Sequence, residues 1–185
     1  MPSWQQCIMF VKTGARTIPD DSRGVKMFRP MRRFRQQMTD DECIRVLKEE
    51  RRGVLSMHGD DGYPYGIPVN FYYDESDGKI YLHGAGEGKK IASLKADSRV
   101  CFCVYTAGEK AKVKRGLDVQ SVVVFGHVDV VQDRAKAVNE CRNVGLKYFP
   151  DDPEYIEEEV KRNENVVCIL AITIDHMTGK KVNES

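Results

Sequence analysis

Apolar residues return at every second position through most of the chain after residue 53, and that period leaves little choice of architecture. In GIPVNFYYD, Ile67, Val69, Phe71 and Tyr73 fall on one face. In RVCFCVYT, Val100, Phe102 and Val104 alternate with Cys101, Cys103 and Tyr105. Side chains that alternate between two faces define strands. VLSMHG (54–59), KIYLHG and the closing VVCILAITID read the same way, and Asp60-Asp61-Gly62 and Asp77-Gly78 supply turns. The long VQSVVVFGHVDVV is apolar on both faces from Val122 to Phe125, the pattern of a central strand. Six strands result. They follow one another mostly as hairpins, without regular βαβ alternation, so the fold class is α+β with an antiparallel sheet or barrel.

Helical patterns flank and interrupt these strands. In TDDECIRVLKEERRG, Thr39 and Glu42 form a capping box, Met38 is placed to staple the entry, Ile44 and Leu47 face inward, and Gly53 ends the run. KKIASLKAD gives a short helix with Ile91 and Leu94 on one side. Asp133 caps a helix in which Ala135, Val138, Cys141 and Val144 recur every three residues, ending near Pro150; the acidic DDPEYIEEEVKRNEN is a second, more exposed one. The whole forms one domain, 27–185. Residues 1–26 show no clear period, contain Gly14, Pro19 and Gly24, and read as a poorly ordered extension.

A net charge of +1 gives no global reason to bind nucleic acid or a membrane. Locally the balance is uneven, with eight Lys/Arg against two Asp/Glu in residues 1–38. Within this region MFRPMRRFRQQ interleaves Arg29, Arg32, Arg33 and Arg35 with Phe28 and Phe34. A nucleic-acid or membrane arm is one reading; an arm packed on its own protein with solvated arginines is favoured. No apolar run approaches the roughly 18 residues of a membrane span, so a cytoplasmic protein is expected. Six cysteines without a C-x-x-C pair read as reduced thiols. His58, His83, His127 and His176 show no metal-ligand spacing, and no metal is expected. Neither a Ser-His-Asp arrangement nor paired catalytic carboxylates can be assembled. If the chain is an enzyme, its chemistry therefore points to a cofactor.

The stretch that could hold one is IYLHGAGEGKK, Ile80 to Lys90. It is not a Walker A loop, because His83 stands where the first glycine belongs and Lys90 where Ser or Thr should bind magnesium. Nor is it a dinucleotide fingerprint, because Gly84, Gly86 and Gly88 are spaced G-x-G-x-G. Glycines that admit an anion to the backbone, a helix N-terminus and two lysines nevertheless make an anion-binding combination. From this stretch alone, a flexible loop feeding a surface helix with solvated lysines is the favoured reading. His83, at a strand end beside the loop, is either structural or a ligand contact.

PYGIPVNFYYDESDGKIYLHGAGEGKKIASLKADSRVCFCVY, then QSVVVFGHVDVV and AITIDHMTGK, together resemble the nitroimidazole-resistance branch of the pyridoxamine-phosphate-oxidase-like flavoproteins. The resemblance runs from about Met31 to Lys181. It implies an FMN-binding, six-stranded antiparallel split β-barrel with flanking helices, acting as a homodimer with flavin sites at the interface. It places Pro68, Val69 and Asn70 along the isoalloxazine edge, and His83 near the flavin as the catalytic candidate. It places Gly84, Gly88, Lys89 and Lys90 around the FMN phosphate, with Ser121 and Lys180 as further cofactor contacts. The family's phosphate site often has an arginine at the helix start, where this chain has two lysines. The implied activity is an NAD(P)H-dependent reduction of a nitroaromatic or other small acceptor. The alternative is a split barrel that holds flavin or haem without turnover.

Overall fold

The computed structural model describes residues 28–111 and 115–184. The extension expected over residues 1–26 lies outside them. The described chain forms a short 3-10 turn at Phe34–Gln36 and then helix α1 (Asp40–Glu49). Strands β1 (Gly53–His58), β2 (Pro64–Val69), β3 (Tyr72–Asp74) and β4 (Lys79–Gly84) follow, then α2 (Lys89–Ala96). Next come β5 (Arg99–Tyr105), the short β6 (Glu109–Lys110) and β7 (Leu117–Val130). Helices α3 (Arg134–Tyr148) and α4 (Pro153–Asn163) precede the last strand, β8 (Cys168–Glu184). The α1 capping box is complete in both directions, and the Asp133 carboxylate accepts from the Lys136 N–H to start α3.

The strands form one sheet in the order β2-β1-β5-β7-β8-β4-β3, with β6 on β7, and every pairing is antiparallel. Eight strands replace the six expected, for two reasons. GIPVNFYYD is interrupted at Asn70-Phe71, so that β2 pairs with β1 while β3 pairs with β4. The polar loop after β5 adds the two-residue β6. The last strand also runs far beyond Asp175, because β7 is long enough to pair with it from Val130 back to Leu117. A bulge between Phe125 and Gly126 bends this ladder.

The inner face carries the main core: Leu55, Phe102, Val104, Val122, Val124, Leu82, Leu170 and Ile172 are all buried. Helix α1 closes it with Cys43, Val46 and Leu47, and α2 adds Ile91 and Leu94. A second cluster joins Ala137 and Val144 of α3 to the outer side of β4 and β8 through Tyr81, Ile169 and Ala171. The buried face of α3 is rotated from the expected one. Ala135 is exposed, while Ala137, Glu140 and Val144 are buried, since a strict three-residue repeat drifts around a helix of 3.6 residues per turn. Glu140 is accommodated by the amides of Asn139 and Asn143 at 3.4 and 3.2 Å.

Two predictions arise from this packing. Gly179 of β8 lies against α1, and a Cβ there would run into Cys43 Sγ and Met38 Cβ. Gly179→Val is expected to destabilise the protein by about 1–3 kcal/mol through overpacking, read as a lowered midpoint in thermal or urea unfolding. An unchanged midpoint would mean that α1 has room to move away. The second concerns Lys147 near the end of α3. Its Nζ donates to the Leu47 carbonyl at 3.0 Å and stands 3.7 Å above the Phe71 ring. Burial pushes its pKa down to about 8, partly opposed by Glu50. The unfolded lysine keeps its proton up to about pH 10.4. Between those values the folded state holds fewer protons, so stability rises with pH. The stability of wild type relative to Lys147→Met should therefore climb from about pH 8 to about pH 10, as measured by urea unfolding at each pH. A flat difference would contradict the assignment.

Candidate functional site

The interruption at Asn70-Phe71 is where the barrel splits. Tyr72 is paired with Tyr81, so continuing the β3–β4 register would set Phe71 against Leu82 and Asn70 against His83. Instead the chain passes from β4 to β1, and Val69 pairs with Gly53. Pro68, Val69 and Asn70 lie at the end of β2 on one side of this interruption, and His83, Gly84 and the loop into α2 at the end of β4 on the other. Gly88 at the head of α2 has φ 101 and no side chain to cap the helix, so the first-turn N–H groups have no side-chain acceptor at the cap.

The two lysines of that turn differ sharply. Lys89 is exposed, pairs with Asp61 at 2.6 Å, and lies 5.0 Å over the Tyr65 ring. Its pKa is raised, first by the Asp61 hydrogen bond. Lys90 is half-buried and folds back over Gly84, where a Cβ would come within 2.7 Å of its Nζ. Among the described residues it has no ion pair, and burial lowers its pKa, with the Cys168 thiol acting weakly in the other direction. His83 points to the outer side of β4, opposite Ile169. Its ring meets solvent, yet desolvation by the surrounding chain comes first, and the Lys90 charge second, in lowering its pKa. The imidazole is therefore neutral near pH 7. Across the split, Asn70 Oδ1 is buried without a hydrogen-bond partner.

The two ends of the interruption thus carry an orphaned amide oxygen at Asn70 and, beside Gly84, a half-buried ammonium with no ion pair among the described residues. A ligand bearing an anionic group and polar ring edges fits that donor and acceptor set. Asp61, Tyr65 and Cys168 were not among the residues singled out from sequence. Only the hairpin pairing and the β4–β8 register bring them to the lysines.

Ser121 and Lys180 lie elsewhere. They are direct cross-strand partners on β7 and β8. His83 pairs with Ile169, eleven positions before Lys180 on the same strand, or about 35 Å of extended chain. Both belong to the outer face of the β1-β5-β7-β8 region. Its central row runs Pro68, Val54, Cys103, Val123, Thr178 in register. No helix of the described residues covers this row. Val54, Cys101, Cys103 and Val123 are half-buried, and Phe125 is 39% exposed. Val122–Phe125 lies in a central strand, as expected, with Val122 and Val124 buried on the inner face and Val123 and Phe125 more open on the outer one. The basic segment packs on its own protein, as favoured from sequence. Phe28 stacks on His176 and Phe125 with ring centroids 4.4 and 5.7 Å apart, while Arg29, Arg32, Arg33 and Arg35 are exposed.

A family model described as pyridoxamine 5'-phosphate oxidase matches residues 39–181. The chain belongs to that family. Solved structures share its fold as well. A conserved hypothetical protein of Mycobacterium tuberculosis superposes with a TM-score of 0.68 at 18% identity, covering 82% of this chain and 90% of that one. A candidate 5-nitroimidazole antibiotic resistance protein of Bacteroides thetaiotaomicron gives 0.64 at 20% identity, over 78% and 86%. A FAD-binding protein of Mesorhizobium loti gives 0.53 at 25% identity, over 80% and 98%. No curated protein matches the sequence significantly. The pyridoxamine 5'-phosphate oxidase match covers the split barrel from the α1 cap to Lys181, so both sides of the interruption lie within it. Among the described residues no helix is long and apolar enough to cross a membrane, and no cluster of three or more metal-ligating side chains occurs.

Proposed function

We propose that this chain binds FMN in the cleft of the split barrel and works as a homodimeric, FMN-dependent oxidoreductase. The observation that carries the reading is Lys90, a half-buried ammonium over Gly84 with no counter-charge among the described residues. A phosphate there would relieve the burial penalty and raise the Lys90 pKa. The Gly84–Gly88 loop lets the backbone approach that phosphate, and the α2 N-terminus adds its dipole. Asn70 offers an amide to the polar edge of the ring, with Pro68 and Val69 forming the adjoining wall. His83, neutral near pH 7, orients the acceptor or relays a proton. A bound flavin supplies the uptake of electrons from a reduced pyridine nucleotide and their delivery to a small acceptor such as a nitroaromatic.

The placement of Ser121 and Lys180, read as cofactor contacts, supports the dimer. They can reach a flavin held at Lys90 only if they come from a second chain, and the helix-free outer face that carries them is the surface for that chain. The neighbours named for FAD, and one from Mycobacterium smegmatis named for both FAD and haem, support a flavin-type ligand. They also keep a non-catalytic flavin- or haem-binding role as the competing outcome. Anaerobic mixing separates the two. NADH or NADPH should bleach the bound flavin, and a nitroaromatic should restore its absorbance. Flavin that stays oxidised with either donor would leave a binding module.

A further inference from the structure

From the geometry around the barrel split we infer that Tyr148, at the last position of α3, is a positioning residue for the cofactor cleft and acts through Phe71 on Asn70. The inference rests on the FMN reading above. At the interruption between β2 and β3 the Phe71 N–H has no strand partner. It donates instead to Tyr148 Oη at 2.9 Å, across 77 residues of sequence. The same hydroxyl donates to the Arg51 carbonyl, at the entry to β1. One side chain thus ties both strands that border the opening, β1 through Arg51 and the β2–β3 corner through Phe71. The Arg51 guanidinium lies 5.5 Å over the Tyr148 ring, and the hydroxyl pKa is raised, chiefly by burial.

Phe71 itself is fixed from all sides. Its ring is fully buried, meets Phe102 edge-on at 5.0 Å, and is capped by the Lys147 ammonium. Asn70 is the next residue, and its amide oxygen is the group left without a partner. A side chain on the residue directly bonded to a locked one loses less freedom when a ligand binds. Removing the Tyr148 hydroxyl leaves a buried N–H unsatisfied and releases the corner, so Asn70 must be ordered by the ligand itself.

The test is a double-mutant cycle read by FMN titration of apo-protein, with unfolding midpoints measured in parallel. Tyr148→Phe and Asn70→Ala are each expected to weaken FMN by about tenfold, and the double variant by little more than either alone, because the hydroxyl acts through that amide. Two weakenings that multiply in the double variant would make Tyr148 a merely structural residue and overturn the inference. An Asn70→Ala protein that binds FMN as wild type does would also overturn it, while leaving the FMN reading intact. Wild type that takes up no FMN would remove both. Hydrogen exchange on apo-protein gives an independent readout. Tyr148→Phe should lower protection of the Phe71 amide at least tenfold while the Val122 and Val124 amides keep theirs. Equal loss at all three amides would show general destabilisation and contradict the positioning role.

Discussion

Lys90→Ala is expected to weaken FMN binding by roughly ten- to 150-fold, the equivalent of one charge-assisted hydrogen bond of about 1.5–3 kcal/mol. Lys89→Ala should change it less than about threefold. The two lysines are adjacent in sequence but differ in what surrounds them. Lys89 is already paired with Asp61 and is exposed, so its charge is both neutralised and screened. Lys90 is half-buried over Gly84 and has no counter-charge among the described residues. Riboflavin, which lacks the phosphate, should bind wild type and Lys90→Ala with similar weak affinity. Titration of apo-protein with both ligands at two salt concentrations checks this. Unchanged FMN affinity in Lys90→Ala would return the loop to a solvated surface turn, and equal losses in both variants would contradict the division between the two lysines.

Val123→Glu is expected to give monomers that have lost FMN. Val123 sits in the row Val54-Cys103-Val123-Thr178 at the centre of the helix-free outer face. In a two-fold interface each substitution occurs twice. An unpaired buried charge costs about 3–5 kcal/mol, so two of them shift the dimer constant by roughly four to seven decades. Sedimentation should report a monomer with an unchanged circular dichroism spectrum, since Val123 points away from the inner core. Mixing subunits gives the stricter result. A heterodimer of Lys90→Ala with Lys180→Ala should regain one full-affinity site of two, because both altered residues then fall in the same site. A dimeric Val123→Glu protein that retains FMN would contradict the composite site.

Much of this architecture is legible in the residues. The capping box at Thr39, the hairpin turns and the alternation in β5 and β7 each follow from local chemistry. The split does not. Ile67, Val69, Phe71 and Tyr73 keep one unbroken alternation, and only the partners available to the backbone, β1 for β2 and β4 for β3, cut it at Asn70. The second half of β8, HMTGKKVNE, is too polar to read as a strand; its pairing comes from the length of β7. In the site, Gly84, His83 and the lysines could be picked out by residue type. The division of labour between Lys89 and Lys90 depends on where Asp61 arrives from the β1–β2 hairpin, and the role of Tyr148 on a helix 77 residues from Phe71. Neither is local, so neither leaves a sequence pattern.

The central claim, a flavin mononucleotide in the split cleft, is tested most directly by the absorption spectrum of the purified protein, with identification of what denaturation releases. The two-banded spectrum of oxidised flavin, with FMN released at one per chain and content sharply reduced in Lys90→Ala, is the predicted result. A dominant Soret band, or colourless protein that does not take up added FMN, would contradict it.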